Sequence, residues 1–155
     1  MNVDYRFTLL NTFVKIIKEF RFGSLIERIV YRDEIDTKYE EYIHSKIEFK
    51  SRDRGVLGIV TSLDFSLKLT AELLEIDKDS PSLCENDFDA LKELANITCA
   101  HFLTDLYGNE IKFNLSIPEL FRITKEEWKR IVEKIGFGLI IDEEPVVIYV
   151  NLDTV

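Results

Sequence analysis

The chain has 155 residues, of which 46% are hydrophobic and 12% are aromatic, so it carries enough apolar material to bury one core. We therefore expect a single domain spanning residues 1–155. Its 29 acidic and 20 basic residues give a formal net charge of -9, which repels a phosphate backbone and excludes nucleic acid as an expected partner.

The N-terminal segment MNVDYRFTLL carries an acid where a secretory signal carries basic residues. No apolar run approaches the roughly 20 residues that cross a bilayer. Both features predict a cytoplasmic protein without membrane insertion.

The cysteines and histidines do not predict a metal site, because they do not form close-spaced pairs. They are Cys84, Cys99, His44 and His101. We expect Cys99 to fill the core and His101 to lie on the flank of its helix.

Residues 4–20 predict the first helix, because their apolar residues recur at helical spacing. Residues 46–51 and 55–63 are rich in β-branched and aromatic residues and flank the turn 52–55, which predicts a β-hairpin. The stripe that the first helix is expected to turn inward comprises Phe7, Leu10, Phe13 or Val14, and Ile17.

Ser62 is a favourable N-cap for a second helix, which carries Phe65, Leu69, Leu73 and Ile76 at helical spacing and ends at a charged loop, residues 77–82. A third helix is predicted next. It begins near Asn86 or Asp87 as the cap and ends at Gly108, a residue suited to the left-handed turn beyond a helix.

In the C-terminal third, residues 110–117 alternate apolar and polar side chains and predict a strand that ends at Pro118. Thr124 and Glu127 form a capping box for a fourth helix, with Trp128, Ile131 and Ile135 on one face. Residues 136–153 predict two strands around the turn 142–145, with Pro145 at a strand edge or first position.

These elements predict an α+β fold of two layers, in which a largely antiparallel β-sheet packs against helices. A helix containing Asn11 and then two strands precedes a helix containing Asn96 and two further strands, which suggests two pseudo-repeated helix-strand-strand halves. Asp4, Thr8 and Asn11 share the spacing of Asp89, Glu93 and Asn96. A chance likeness between units of similar size is the alternative.

The polar side of the third helix is unusual. Asp89, Glu93, Asn96 and Ala100 fall within about 60° of one another on a helical wheel, with Ile97 at the margin. Polar residues on an exposed helix need no function, and such pairs are common. Asn96, however, costs roughly half a kcal/mol against alanine in mid-helix without acting as a cap. The opposite, core-facing arc comprises Phe88, Leu91, Ala95, Thr98, Cys99, Phe102 and Leu106.

A carboxylate and a carboxamide on a rigid helix lack the nucleophile, metal cluster or glycine-rich loop of covalent or phosphate-binding chemistry. The amide can still position a water molecule, because it supplies both a donor and an acceptor. Such positioning contributes several kcal/mol when the bond to be broken is already labile.

The pattern Asp, three residues, Glu, two residues, Asn, at Asp89, Glu93 and Asn96, resembles the signature of the CheX and CheC chemotaxis phosphatases. Pro118 matches a proline expected some twenty residues later. The order of elements over residues 4–150 is also similar to that family and its CheC-like fold. One complete motif, with an incomplete copy in the first helix, is closer to CheX than to CheC, which carries two.

The resemblance implies dephosphorylation of the phospho-aspartate of a CheY-like response regulator. Asn96 would orient the attacking water and Glu93 would contact the regulator's lysine, while Asp89, Ile97 and Ala100 would lie on the partner-binding face. The Mg²⁺ would belong to the regulator, so no cofactor of the chain's own is implied. The resemblance also implies a homodimer.

Two departures and two alternatives accompany this interpretation. Family members commonly have glycine immediately before the Asn and again four residues after it, where this chain has Ala95 and Ala100. One alternative is a binding module that recognises a regulator or another signalling partner through the same helix face without hydrolysis. In the other alternative, Glu93 and Asn96 form a subunit contact.

Overall fold

The computed structural model describes residues 5–19, 26–35, 37–75, 89–135 and 137–153. The predicted loop 77–82 and the predicted helix caps Asn86 and Asp87 lie outside these ranges, as do Asp4, Ile76, Cys84 and Phe88. The described helices are α1 (Tyr5–Ile17), α2 (Leu63–Leu74), α3 (Asp89–Tyr107) and α4 (Lys125–Ile135). The described strands are β1 (Ile26–Tyr31), β2 (Glu41–Lys50), β3 (Arg54–Ser62), β4 (Asn114–Leu115), β5 (Glu119–Thr124), β6 (Phe137–Ile141) and β7 (Glu144–Asp153).

All seven described strands belong to one sheet, in which every pairing is antiparallel. The order is β1-β6-β7-β3-β2-β4, and β5 also pairs with β2. The predicted α+β class with a largely antiparallel sheet is therefore confirmed. None of the described helices is long and apolar enough to span a membrane.

The sheet is covered on both faces. Successive side chains of a strand point to opposite faces, so Ile43 and Tyr42 of β2 belong to different cores. The larger core packs α1, α2 and α3 against one face, and the smaller core packs α4 against part of the other. Trp128 of α4 stacks on Tyr42 with ring centroids 4.2 Å apart. Beyond the helix layer expected from the sequence, α4 thus adds a partial layer on the second face.

Both predicted hairpins are present. Strands β2 and β3 pair from Tyr42 opposite Ser62 to Lys50 opposite Arg54. The β6–β7 turn places Asp142 and Glu143 at φ values of 49° and 66°, the left-handed backbone that two-residue hairpin turns require.

Pro145 is the second residue of β7 and lies opposite Ile140 of β6. Strand β3 begins to pair with β7 only at Val146. Pro145 therefore has a strand neighbour on one side only, which is the kind of position that a residue without an N–H group tolerates.

The strand predicted over residues 110–117 is wrong in extent. Only Asn114 and Leu115 pair, with Lys50 and Phe49, and Ile117 is 85% exposed. The missed strand β5 instead pairs with residues 41–46 of β2. The free edge of β2 accommodates β5 along most of its length, which leaves β4 only the end beside the β2–β3 turn.

The predicted inward stripe of α1 is also partly wrong. Phe7 is 64% exposed, whereas Thr12 is buried beside Phe13. A buried threonine is tolerated here because its hydroxyl donates a hydrogen bond to Asp105. On α2, Leu73 is likewise 37% exposed rather than buried.

Candidate functional site

Helix α3 is anchored by an apolar side that lies in the larger core. Most of the predicted core-facing arc is confirmed, and Leu106 packs against this core while remaining partly accessible. At the C-terminal end, Gly108 has a φ of 102°, and its N–H donates to the carbonyl oxygen of Thr104 at 2.8 Å. The predicted helix end is therefore confirmed. The fully or nearly fully buried residues of α3 are Ala90, Leu91, Leu94, Ala95, Thr98, Cys99, Phe102 and Leu103.

Polar contacts near its C-terminal end fix α3 to neighbouring elements. One carboxylate oxygen of Asp105 accepts a hydrogen bond from the Thr12 hydroxyl at 2.6 Å and lies 3.3 Å from the Lys15 ammonium. The Tyr107 hydroxyl donates to Asp53 in the β2–β3 turn. No local sequence pattern points to these contacts, because the partners lie 93, 90 and 54 positions apart along the chain.

The residues of the motif lie on the other side of α3. Asp89 and Glu93 are exposed and Asn96 is half-buried. Glu93 and Asn96 are three residues apart, about 4.5 Å along the helix axis. No hydrogen bond or ion pair joins the side chains of these residues to any other residue in the described ranges. Their polar groups are therefore available to another molecule.

Ile97 and Ala100, which the sequence assigned to the same face, are half-buried. Ile97 packs partly against the larger core, in keeping with its marginal position on the helical wheel. Ala100 lies one turn beyond Asn96, where its small side chain leaves the helix backbone approachable.

The two alanines that depart from the family pattern have different surroundings. Ala95 is completely buried, so its methyl group fills the core and cannot contact a partner. Ala100 is half-buried and lies beside the motif. Of the two departures, only Ala100 can alter the shape of the helix side that carries the motif.

Neither Cys99 nor His101 extends this face into a nucleophilic or metal-binding site. Cys99 is completely buried, and burial raises the pKa of its thiol to about 12, so its role as core filler is confirmed. His101 is exposed on the flank of α3, as expected. Among the residues that the structure describes, no group of three or more His, Cys, Asp or Glu side chains could hold a metal ion.

Helix α1 carries only a fragment of the same pattern. Asn11 is exposed and Thr8 is half-buried, while Asp4 lies outside the described residues. Because Thr8 stands where a second motif would need its acid, α1 lacks the carboxylate and carboxamide pair that α3 presents. The described structure thus places one such pair on α3.

Comparison with known proteins identifies the family. Residues 43–140 match the family model described as "Chemotaxis phosphatase CheX", and this range contains the whole of α3. The chain belongs to the CheX family. A search of curated proteins gave no match.

Solved structures of CheX and CheC-like proteins share the fold along nearly the whole chain. A CheX from Borrelia burgdorferi, solved in complex with CheY, BeF₃ and Mg²⁺, gives a TM-score of 0.69 at 16% identity, covering 99% of this chain and 100% of that one. A CheX from Desulfovibrio desulfuricans gives 0.66 at 9% identity, covering 97% and 100%. A CheC-like protein from Shewanella oneidensis gives 0.65 at 14% identity, covering 99% and 100%. The predicted CheX/CheC-like fold is therefore confirmed.

Proposed function

We propose that this CheX-family protein hydrolyses the phospho-aspartate of a CheY-like response regulator. The observation that carries the proposal is the pair Glu93 and Asn96, which lies on the accessible side of a helix whose other side is buried in the core. The side chains of this pair form no hydrogen bond or ion pair with another described residue. The family of chemotaxis phosphatases and the Borrelia CheX solved with CheY support the same substrate class.

The chemistry requires a positioned water molecule rather than a nucleophile on this chain. Water attacks phosphorus, the bond between phosphorus and the aspartyl oxygen breaks, and the products are inorganic phosphate and the regulator's free carboxylate. The Asn96 amide orients this water, because its carbonyl accepts a hydrogen bond while its NH₂ group donates one. An acyl phosphate is labile, so positioning suffices to accelerate its hydrolysis.

Docking determines whether Asn96 reaches the phosphoryl group. The Glu93 carboxylate pairs with the regulator's lysine, and Asp89, Ile97 and Ala100 contact the regulator around this pair. The Mg²⁺ that neutralises the phosphoryl oxygens belongs to the regulator. We expect the active protein to be a cytoplasmic homodimer, as the resemblance implies, and its mass in sedimentation equilibrium would test the oligomeric state.

The decisive experiment follows the decay of a phosphorylated CheY-like receiver from the same organism with wild type, Asn96→Ala, His101→Ala or no added protein. His101 is the matched control, because it is exposed on α3 but outside the motif. We expect wild type and His101→Ala to accelerate decay equally. The catalysed rate, measured above spontaneous decay, should be lower by on the order of 100-fold for Asn96→Ala. If wild type accelerates no available receiver, the phosphatase proposal fails.

Glu93→Ala separates docking from hydrolysis. Removing the carboxylate should weaken receiver binding, whereas Asn96→Ala should leave the receiver's Kd nearly unchanged. Titration of labelled receiver against each variant measures this Kd. The binding-module alternative predicts that wild type and Asn96→Ala both bind the receiver and that neither accelerates the decay of its phosphorylated form.

A further inference from the structure

A basic cleft lies between α4 and the second face of the sheet, the face opposite α3. Strands β2 and β7 provide its floor, and successive turns of α4 provide its wall. Its volume is about 340 Å³, which accommodates a small organic molecule rather than a macromolecule. The floor comprises His44, Lys46, Tyr149 and Asn151, and the wall comprises Glu127, Arg130, Ile131, Lys134 and Ile135.

Gly58 shapes the floor of this cleft. It lies on β3 between Lys46 of β2 and Tyr149 of β7 in the pairing register. Any side chain at this position would collide with the Tyr149 ring, since an added Cβ would stand 2.4 Å from two of its carbon atoms. The ring therefore lies across β3, and its hydroxyl reaches Nε2 of the buried His44 at 2.8 Å. The hydrogen-bonded pair of His44 and Tyr149 therefore forms a polar base in this floor.

The charge of the cleft is opposite to that of the chain. Lys46, Arg130 and Lys134 carry positive charges and Glu127 carries the one negative charge, in a protein whose net charge is -9. None of the three cations forms an ion pair with another residue in the described part of the chain. Lys46 instead lies 5.6 Å from the centroid of the Phe121 ring.

The single carboxylate of the cleft has a role of its own. Its oxygen Oε1 accepts a hydrogen bond from the Thr124 hydroxyl at 3.3 Å, within the cap of α4. Arg130 and Lys134 are four residues apart and therefore lie on one side of the helix, with the half-buried side chains of Ile131 and Ile135 beside them. The cationic side chains therefore lie around a polar floor, and an apolar flank lies beside them.

His44 does not add to this charge at neutral pH. Burial, and secondarily the charge of Lys46, lowers the pKa of His44 to about 4. The neutral imidazole and the Tyr149 hydroxyl are hydrogen-bonded to each other and form the base of the cleft. The cations provide the positive charge that attracts an anion.

We propose that this cleft binds a small anion that carries a phosphoryl group. A phosphate dianion matches the excess of two positive charges, and guanidinium and ammonium groups are the side chains that hydrogen-bond phosphate oxygens most strongly. The ligand is either inorganic phosphate or a small organic phosphate whose carbon portion contacts the apolar flank. Because the cleft and the Glu93–Asn96 face lie on opposite sides of the sheet, the ligand does not block regulator docking.

Inorganic phosphate and glucose 6-phosphate are the probes, titrated separately at constant ionic strength into ¹⁵N-labelled protein, with glucose as the uncharged control. We expect saturable chemical-shift changes at β2, β7 and α4 with at least one phosphate, at a Kd of about 1 mM or tighter. Tighter binding of glucose 6-phosphate would identify the organic phosphate as the ligand class. Saturation by neither phosphate, or equal binding of glucose, would overturn the proposal.

Three single substitutions on α4 locate the site. Arg130→Gln and Lys134→Gln each remove a cation of the cleft, whereas Lys129→Gln removes an exposed cation of the same helix that does not line it. We expect each cleft variant to weaken phosphate binding about tenfold and Lys129→Gln to bind like wild type. If all three variants lose affinity equally, phosphate is attracted by the general charge of α4 and the proposed site is wrong.

Discussion

Ala95 and Ala100 show how five residues of separation on a helix decide what a side chain can affect. Ala95 is completely buried in the larger core, whereas Ala100 is half-buried near Asn96. A methyl group in the core contributes packing, but a methyl group beside the motif limits how closely a partner approaches. Changes at the two positions should therefore affect different properties of the protein.

We predict that Ala95→Gly lowers the free energy of unfolding by about 1–2 kcal/mol, because it combines the helix cost of glycine with the loss of a buried methyl group. Its affinity for a phosphorylated receiver should not change. Ala100→Gly should bind the receiver more tightly, since the backbone becomes more approachable. Urea denaturation and receiver titration measure the two effects; a larger affinity change in Ala95→Gly than in Ala100→Gly would contradict this assignment.

His44 makes stability depend on pH. Its pKa of about 4 in the folded protein lies below the ordinary value of 6.5, so between these values the unfolded chain binds a proton that the folded protein does not. The contribution of His44 to the free energy of unfolding is therefore complete above pH 6.5 and is lost as the pH falls toward 4.

Between pH 7 and pH 4.5, the free energy of unfolding of wild type should fall by up to about 3 kcal/mol more than that of His44→Gln, because glutamine does not titrate. Urea denaturation of both proteins across this range gives the difference, and the carboxylates that titrate in both cancel in the comparison. Parallel pH profiles for the two proteins would show that His44 is not held neutral in the fold.

At the scale of the elements, α2 and α4 have N-caps of unequal depth. Ser62 is completely buried; its hydroxyl oxygen accepts from the N–H of Phe65 at 3.1 Å, and the hydroxyl donates to the buried carboxylate of Glu144 at 2.9 Å. Thr124 accepts from the N–H of Glu127 at 3.2 Å but is exposed. The cap of α2 therefore also connects this helix to β7.

Ser62→Ala should lower the free energy of unfolding by about 2–4 kcal/mol, because it removes a cap and leaves a buried carboxylate with one donor fewer. Thr124→Ala is the matched control and should cost only about 0.5–1 kcal/mol, since water replaces its lost bond. Denaturant unfolding monitored by circular dichroism compares the two. Equal costs would mean that the link from Ser62 to Glu144 adds no stability.

At the scale of the whole molecule, both cores are built on one sheet. Tyr42 and Ile43 are adjacent in β2 but belong to different cores, so neither core can lose its sheet face while the other keeps it. We expect the described elements to unfold as one cooperative unit.

Trp128, the single tryptophan, tests this expectation, because it is completely buried in the smaller core. Its fluorescence reports on the α4 side, whereas far-ultraviolet circular dichroism reports mainly on the three described helices of the other side. The two probes should give the same urea midpoint. An earlier midpoint for Trp128 fluorescence would show that the α4 layer unfolds independently of the larger core.

The sequence by itself determined what depends on near neighbours. The hairpins, the caps at Ser62 and Thr124 and the end of α3 at Gly108 follow from interactions within about four residues, and so does the spacing of Glu93 and Asn96 on one helix face. The same spacing indicated the CheX family. These features could be predicted because the periodicity of a helix or strand fixes relative directions of side chains without reference to the rest of the fold.

Only the tertiary structure decided which surfaces these elements share. Residues 110–117 alternate like a strand, yet only Asn114 and Leu115 pair with β2, because in this register residues 110–113 would extend past Lys50, where β2 ends. The buried Thr12 hydroxyl has a hydrogen-bond acceptor in Asp105, 93 residues away along the chain. His44 forms a hydrogen bond with Tyr149, which is 105 residues away. The basic cleft likewise combines β2, β7 and α4. Contacts between distant segments depend on which edges and faces the fold brings together and on where each element ends, and a local pattern carries no information about either.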